Sequence, residues 1–553
     1  MIPEKAIQAP PQVAVASIPA DTRGQQTFTA AEMLTRGQSV GSPAGTFVNG
    51  PATVEASSHL RQPGLAELAA EPMPFSSEPQ ANTFGRLFPG LPAFSSDNPS
   101  VRRALETMGM KGGLMDAGDD LSDPKTLLTD PSKSLNNPDN PQMTAGMTFL
   151  GQFLDHDITL DLTSRLGVSQ DPTSVRNFRT PAFELDSVYG SGPQAAPYLY
   201  DQSDAGRGIK FLVEDIPGSA SQSRGGITRY DVPRDSANVA VIGDSRNDEN
   251  MIISQLQVAF LKFHNAVVDQ VTQTTGLTNP SEIFAEAQRL VRWHYQWIIV
   301  HEFLPKTVGP ELVQNVLTEG RQFYHWQDEQ FIPVEFSVSA YRFGHSQVRP
   351  SYRANFGPAP SQEFFALVFN DSLPASQDHA DLRGRERAAR RFVDWQTFFN
   401  FGDGNVRSNK KIDTHLSSVL FDLPNTPGTE PQSLAQRNLL RHLTFEVPSG
   451  QSVARAMGVT PLRPSDFPEL RSEGLAARTP LWYYVLREAD IQANGQRLGA
   501  VGGGIVSEVF IGLLEGDPTS YLNQAPQWTP TLTDTGTFTM IDLLKKAGVV
   551  VPV

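Results

Sequence analysis

The sequence predicts a mainly α fold with long irregular loops and little β. Two observations lead there. Apolar residues recur at steps of three and four in separate stretches, the spacing that gathers them on one face of a helix. Between the stretches run loops punctuated by proline and glycine, 43 and 44 in all, while strand-like alternation is confined chiefly to 238–242 and 331–338.

Taken in order, residues 1–84 are rich in Pro, Ala, Ser, Gly and Thr without periodicity, and read as an extended or partly disordered N-terminal arm. One folded body is expected over 85–530, and a C-terminal tail over 531–553. Within the body, Met143, Met147, Leu150, Leu154 and Ile158 form a first helical stripe. Ile253, Leu256, Phe260, Phe263 and Val267 form a second, on a longer helix after Arg246. The stretch 281–304 opens on a Ser–Glu start signal and is expected to stop before Pro305, which lacks the N–H that a helix interior uses. SLAQRNLLRHL at 433–443 makes a fourth, shorter helix. The apolar run at 498–516 carries Glu508 and three consecutive glycines and reads as a buried helix. No segment reaches roughly 18 uninterrupted apolar residues, the length of a spanning helix, and no fixed-period repeat is found.

Composition bounds the function. Apolar residues are 39% of 553, enough for a sizeable core. Lys and Arg total 45 against 60 Asp and Glu, a formal net charge of -15, which disfavours non-specific nucleic-acid binding and a polybasic grip on anionic lipid. Neutral or cationic small molecules, or bound cations, suit it better. With no cysteine, disulfides, thiolate zinc sites and iron–sulfur clusters are excluded. The N-terminus lacks the basic and apolar regions of a secretory signal, and localisation stays open.

Histidines and carboxylates carry the chemistry. His156 lies in GQFLDHDITLD, where helical spacing puts Gln152 and His156 on one face and points Asp155 and Asp157 elsewhere. A histidine beside an amide can shuttle a proton for a bound oxygen species, although a solvated charge cluster at a helix end explains the same residues. His345, in SVSAYRFGHSQVRP, has the aromatic neighbourhood of an axial ligand to haem iron; a core histidine bonded to a carbonyl is the alternative. In RTPAFELDSVYG at 179–190, Thr180, the Ala182 carbonyl, Glu184 and Asp186 offer oxygens at alternate positions, a shell suited to Ca²⁺ or else a solvated acidic turn. Gly243-Asp244-Ser245 has the form of a hydrolase nucleophile block. No histidine follows an Asp by three residues to serve as its base, so that reading fails.

Together, in order, these blocks resemble the animal-type haem peroxidases, the superfamily that includes peroxinectins and cyclooxygenases, in its bacterial peroxinectin- and myeloperoxidase-like branch. GQFLDHD is similar to the distal helix, RTPAFELDSVYG to the calcium loop, SRNDEN followed by FHN to the distal arginine helix, YRFGH to the proximal block, and RNLLR to the block partnering the proximal histidine. The resemblance covers roughly 85–515. It implies distal His156, Gln152 and Arg246, proximal His345 on the haem iron, and Asn438 bonded to the proximal imidazole. It further implies haem b, ester-linked through Asp155 and Glu249 where those bonds form, and Ca²⁺ held by Asp157, Thr180, Ala182, Glu184 and Asp186. Asn250 stands where some relatives have a haem-linked methionine, so a sulfonium link is excluded.

The implied activity is reduction of hydrogen peroxide with oxidation of small donors (halide, thiocyanate or phenols), consistent with a role in the response to oxidative stress. Two alternatives follow from the same resemblance. A fatty-acid dioxygenase of the superfamily places tyrosine three residues before the proximal histidine, where this chain has Arg342, with Tyr341 one further away. A calcium-binding adhesion or structural protein with vestigial activity would have damaged haem-site positions, and none of these is damaged.

Overall fold

The computed structural model describes residues 82–370, 378–423 and 431–551; most of the expected N-terminal arm lies outside them. The fold is mainly helical. Strands are short and paired two by two: β1 (Phe84–Gly85) parallel to β5 (Ile332–Pro333), and three antiparallel pairs. These pairs are β2 (Asp139–Thr144) with β8 (Ser408–Lys410), β3 (Glu214–Asp215) with β4 (Tyr230–Asp231), and β6 (Ser351–Asn355) with β7 (Phe364–Leu367).

The first helical stripe forms α1 (Ala145–Ile158), buried along nearly its whole length. It starts later than the stripe suggested, because Met143 belongs to β2, whose partner lies more than 260 residues downstream. The second stripe forms α2 (Met251–Thr274). The Asn250 side chain caps it, accepting from Ile252 and Ile253 N–H. By length and composition α2 could cross a membrane, but 83% of its most apolar window is buried inside this fold, as in a core helix. Phe153 of α1 stacks on Phe260 of α2 with ring centroids 4.4 Å apart, and this contact ties the two helices together.

The third stretch departs from expectation. Helix α3 (Pro280–Ile298) does not end before Pro305 but passes through a π-helical turn, Ile299–Phe303, into α4 (Leu304–Val308). In the wider turn Leu304 N–H donates to the Ile299 carbonyl five residues back, directly before Pro305, which has no N–H to donate. Helix α5 (Leu434–Thr444) follows the fourth stripe, capped by Ser433. Helix α6 (Leu481–Ala493) leads into α7 (Ala500–Gly516), which is buried through Leu514 as the glycine-containing run suggested. The alternation at 238–242 gives only an isolated bridge between Arg234 and Ala240, and 331–338 gives β5 followed by a single helical turn, Val334–Ser337. The expected C-terminal tail includes a helix, α8 (Met540–Lys546), whose Met540, Leu543 and Leu544 are buried; it lies along α2.

Candidate active site

One cleft is lined by Gln152, Asp155, His156 and His345 of the predicted residues, while Arg246, Glu249 and Asn438 stand outside its lining. Helix α1 forms one wall with Thr148, Gly151, Gln152, Asp155 and His156; the segment 337–348 forms the other with Tyr341, Arg342 and His345. His156 and His345, 189 positions apart in sequence, therefore line the same space. Asp155 also faces the cleft, not away from it as the helical wheel suggested, because Thr148, Gly151, Gln152 and Asp155 make a continuous i, i+3, i+4, i+7 stripe. The walls close in at Gly151, whose carbonyl accepts from the Tyr341 hydroxyl at 2.9 Å. A Cβ there would meet the Phe303 ring at 3.3 Å.

His156 is buried, and its Nδ1 lies 2.8 Å from Asn247 Oδ1. Asn247 in turn donates its Nδ2 to Gln257 Oε1 at 2.9 Å, which fixes the amide. The acceptor oxygen assigns the proton to Nδ1 and leaves the Nε2 lone pair free. Burial, and after it the Arg246 charge, pushes the imidazole down to about 3, so it is neutral near pH 7. Arg246 is likewise buried. It forks onto Asp244 through Nε (3.1 Å) and Nη2 (2.8 Å) and donates to the His156 carbonyl at 2.9 Å, so it stands beside the histidine but faces Asp244. Burial opposes the Asp244 charge, but Arg179 and Arg246 outweigh it and hold the carboxyl far below its usual range.

Gln152 bonds to Glu249 Oε1, and Asn250 donates to Gln152 Oε1 at 3.4 Å. Burial raises the Glu249 carboxyl well above its ordinary value, and its Oε2 has no hydrogen-bond partner. Burial also raises Asp155 against the pull of Arg342 and Arg246. On the other wall, burial and then Arg342 hold His345 neutral. Its Nδ1 is 2.7 Å from Asn438 Nδ2, while Asn438 Oδ1 is buried with no hydrogen-bond partner. A half-turn of that amide brings Oδ1 onto an Nδ1–H and leaves Nε2 as a lone-pair donor into the cleft.

The loop 179–190 sits behind α1. Asp157 is fully buried and accepts from Leu185 N (3.0 Å), Ser187 Oγ (2.9 Å) and Tyr295 OH (3.1 Å). Thr180 N donates to Asp186 Oδ2 at 3.3 Å, and Asp186 Oδ1 has no hydrogen-bond partner, with Arg179 3.6 Å away. The Glu184 carboxylate lies 3.6 Å from Arg292, and Ala182 N donates to the Thr180 carbonyl at 2.8 Å. Burial first, and neighbouring carboxylates after it, lift both Asp157 and Asp186 above the ordinary carboxylate range. Among the described residues no three His, Asp or Glu side chains are gathered tightly enough to form a metal site. The His264–Asn265 pair braces this loop: His264 Nε2 donates to the Ile209 carbonyl (2.9 Å), its Nδ1 accepts from Tyr189 OH (3.0 Å), and Asn265 clips the Phe211 backbone by N–H and C=O.

Asn247, Asp244 and Arg179 were not anticipated. Asp244 drew attention only as part of a hydrolase-like tripeptide, and its actual work is to cap the turn Ser245–Asp248 and fix two arginines. The one local signal was an Asn directly after Arg246.

Residues 161–377 match the family model described as animal haem peroxidase, a span that contains the 179–190 loop, Arg246 and His345 but begins after His156. Among relatives, chorion peroxidase of Drosophila melanogaster is 24% identical over 63% of this chain and 40% of its own length. Peroxinectin A of Dictyostelium discoideum is 24% identical over 50% of this chain and 48% of its own. The chain spans less than half the length of these relatives. Among solved structures, peroxidase A from Dictyostelium discoideum superposes with TM-score 0.53 at 16% identity, covering 84% of this chain and 93% of that one. A fatty acid alpha-dioxygenase of Oryza sativa gives 0.52 at 13% identity, covering 85% and 80%. At these identities the structures speak to the fold.

Proposed function

We propose that the chain is a haem-dependent peroxidase that reduces hydrogen peroxide and oxidises small donors such as halide, thiocyanate or phenols. The observation that carries this is the sharing of one cleft by two neutral imidazoles, buried His156 and half-buried His345. Two orphaned polar atoms support a haem there: Asn438 Oδ1, poised to accept from the proximal ring, and Glu249 Oε2, a carboxyl that an ester would satisfy. Asp155 is the second ester candidate. Bound haem supplies the redox chemistry, accepting the oxidising equivalents of peroxide and passing them to a donor.

The chain's own residues do the rest. His345 Nε2 would hold the iron, and Asn438 Oδ1 accepting from Nδ1 would raise the ring's basicity. The free His156 Nε2 takes a proton from the inner oxygen of peroxide and returns it to the outer oxygen, which leaves as water. Arg246 sets a fixed positive charge beside that step, and Gln152 adds an amide to the same wall. A calcium ion drawn in by Asp157, Thr180, Ala182, Glu184 and Asp186 would relieve the mutual repulsion of the carboxylates and satisfy Asp186 Oδ1. Because Asp157 follows His156 directly, the ion would steady the helix that carries the base.

Stopped-flow mixing of haem-loaded protein with peroxide tests the reading. His156→Ala should retain haem but react about 10²–10⁴-fold more slowly, the range expected for a lost acid–base group; an unchanged rate would overturn the assignment. Incubation with linoleate and oxygen, without peroxide, tests the dioxygenase alternative, which Arg342 at the third position before His345 disfavours.

A further inference from the structure

A cluster of oxidisable side chains lies at the π-helical turn that carries Phe303, one of the residues lining the cleft. His301 is exposed on the π-helical turn. Its ring stacks on Trp297 with centroids 3.7 Å apart and an interplanar angle of 27°, and its Nε2 is 3.2 Å from the Tyr521 hydroxyl. Trp528 stands 6.0 Å from Trp297 and 5.8 Å from Tyr521. Trp297 and Trp528 are both half-buried, so one edge of the group reaches solvent. On the same turn Phe303 points the other way and lines the cleft. The surface group and the cleft wall are therefore about one helix diameter apart, roughly 10–12 Å. Packed rings cover part of that interval: Phe303 stacks on Phe510, and Phe510 lies 5.1 Å from Tyr341, which also lines the cleft.

We infer that Trp297, half-buried with Tyr521 buried behind it, forms a second oxidation site that opens to the surface, for phenolic donors too bulky to enter the cleft. The inference rests on the peroxidase reading, which supplies the oxidant: hydrogen peroxide consumed in the cleft. Tyr521 gives one electron through the packed rings toward the cleft and its phenolic proton to His301 Nε2. A phenol docked at the solvent-facing edge of Trp297 then returns one electron through that ring, 6.0 Å from Tyr521, His301 returns its proton to restore Tyr521, and the phenol leaves as a phenoxyl radical after releasing its own proton to solvent. Two such turns match the two electrons and two protons that convert one peroxide into two waters. Packing of its ring against Trp297 desolvates His301 in part, although the residue as a whole is exposed, and pushes it down to about 4, so near pH 7 the ring is neutral and free to take the proton.

The test locates the radical directly. Full-length haem-loaded protein is treated with peroxide and a nitroso spin trap without donor, and adducts are mapped by peptide mass spectrometry. Adducts concentrated on Trp297, whose edge reaches solvent, exceeding those on Tyr198, a 63% exposed tyrosine outside the cluster, support the site; adducts confined to Tyr341 or equal on Tyr198 overturn it. In parallel, Trp297→Phe combined with Tyr521→Phe should lose at least tenfold in turnover of a dextran-tethered phenol while iodide turnover stays within twofold. Equal losses on both donors, or none on the tethered phenol, overturn the surface site. Failure of the wild-type protein to oxidise iodide would instead overturn the peroxidase reading on which it rests.

Discussion

At the residue scale, the geometry ranks the partners of the reacting groups as highly as the groups themselves. His156 can act as a base only if its lone pair is on Nε2, and Asn247, held by Gln257, puts it there. Replacing Asn247 with Leu should leave haem binding intact but slow the peroxide reaction about 10–100-fold, the usual cost of removing the partner that orients such a ligand or base; rapid-mixing absorbance at the haem band measures it. Asp244→Asn should leave Arg179 and Arg246 buried without their shared carboxylate. A cost of about 3–5 kcal/mol in urea unfolding is expected for breaking a buried pair. The resemblance of contiguous blocks to a known family pointed to His156, Gln152 and His345, which local pattern alone left open against a solvated charge cluster and a core histidine. Asn247 and Asp244 escaped it, since their roles exist only once a turn near position 246 packs against a helix ninety residues earlier.

At the scale of elements, α1 is the member on which the site depends: its inner face lines the cleft, and its C-terminal Asp157 ties it to the 179–190 loop. Phe153→Ala would remove the stacked contact with Phe260 and should cost about 3–5 kcal/mol, typical of an aromatic core truncation, with looser haem retention; denaturant midpoints and haem transfer to an apo-globin read the two effects. If calcium closes the loop, chelation should lower the melting temperature and speed haem loss in the wild type, while Asp186→Ala should already show both changes and respond no further to the chelator. Periodicity revealed α1, α2, α3 and α5 because it is a local property of the chain. It misplaced the start of α1, where a strand pairing with residues 408–410 claims Met143, and the end of α3, where a π turn carries the helix through Pro305.

At the scale of the whole molecule, a mainly helical body brings segments from both halves of the chain onto one cleft, and its C-terminal segment belongs to that body. His294 Nε2 accepts from Thr531 and Leu532 N–H at 3.2 Å each, clamping the start of this segment to α3. Burial pushes His294 down to about 4, below its unfolded value of 6.5. The unfolded form therefore binds the additional proton between those values, and stability falls as pH drops from 6.5 toward 4, by up to about 1.4 kcal/mol per pH unit. Hydrogen exchange should show residues 531–551 losing protection across that window before α2 does. The central claim is tested most directly by titrating haem into the wild-type protein, His345→Ala and His156→Ala and recording absorption spectra. The account predicts one-to-one binding in the wild type and in His156→Ala, and loss of most binding in His345→Ala; equal binding by all three would contradict it.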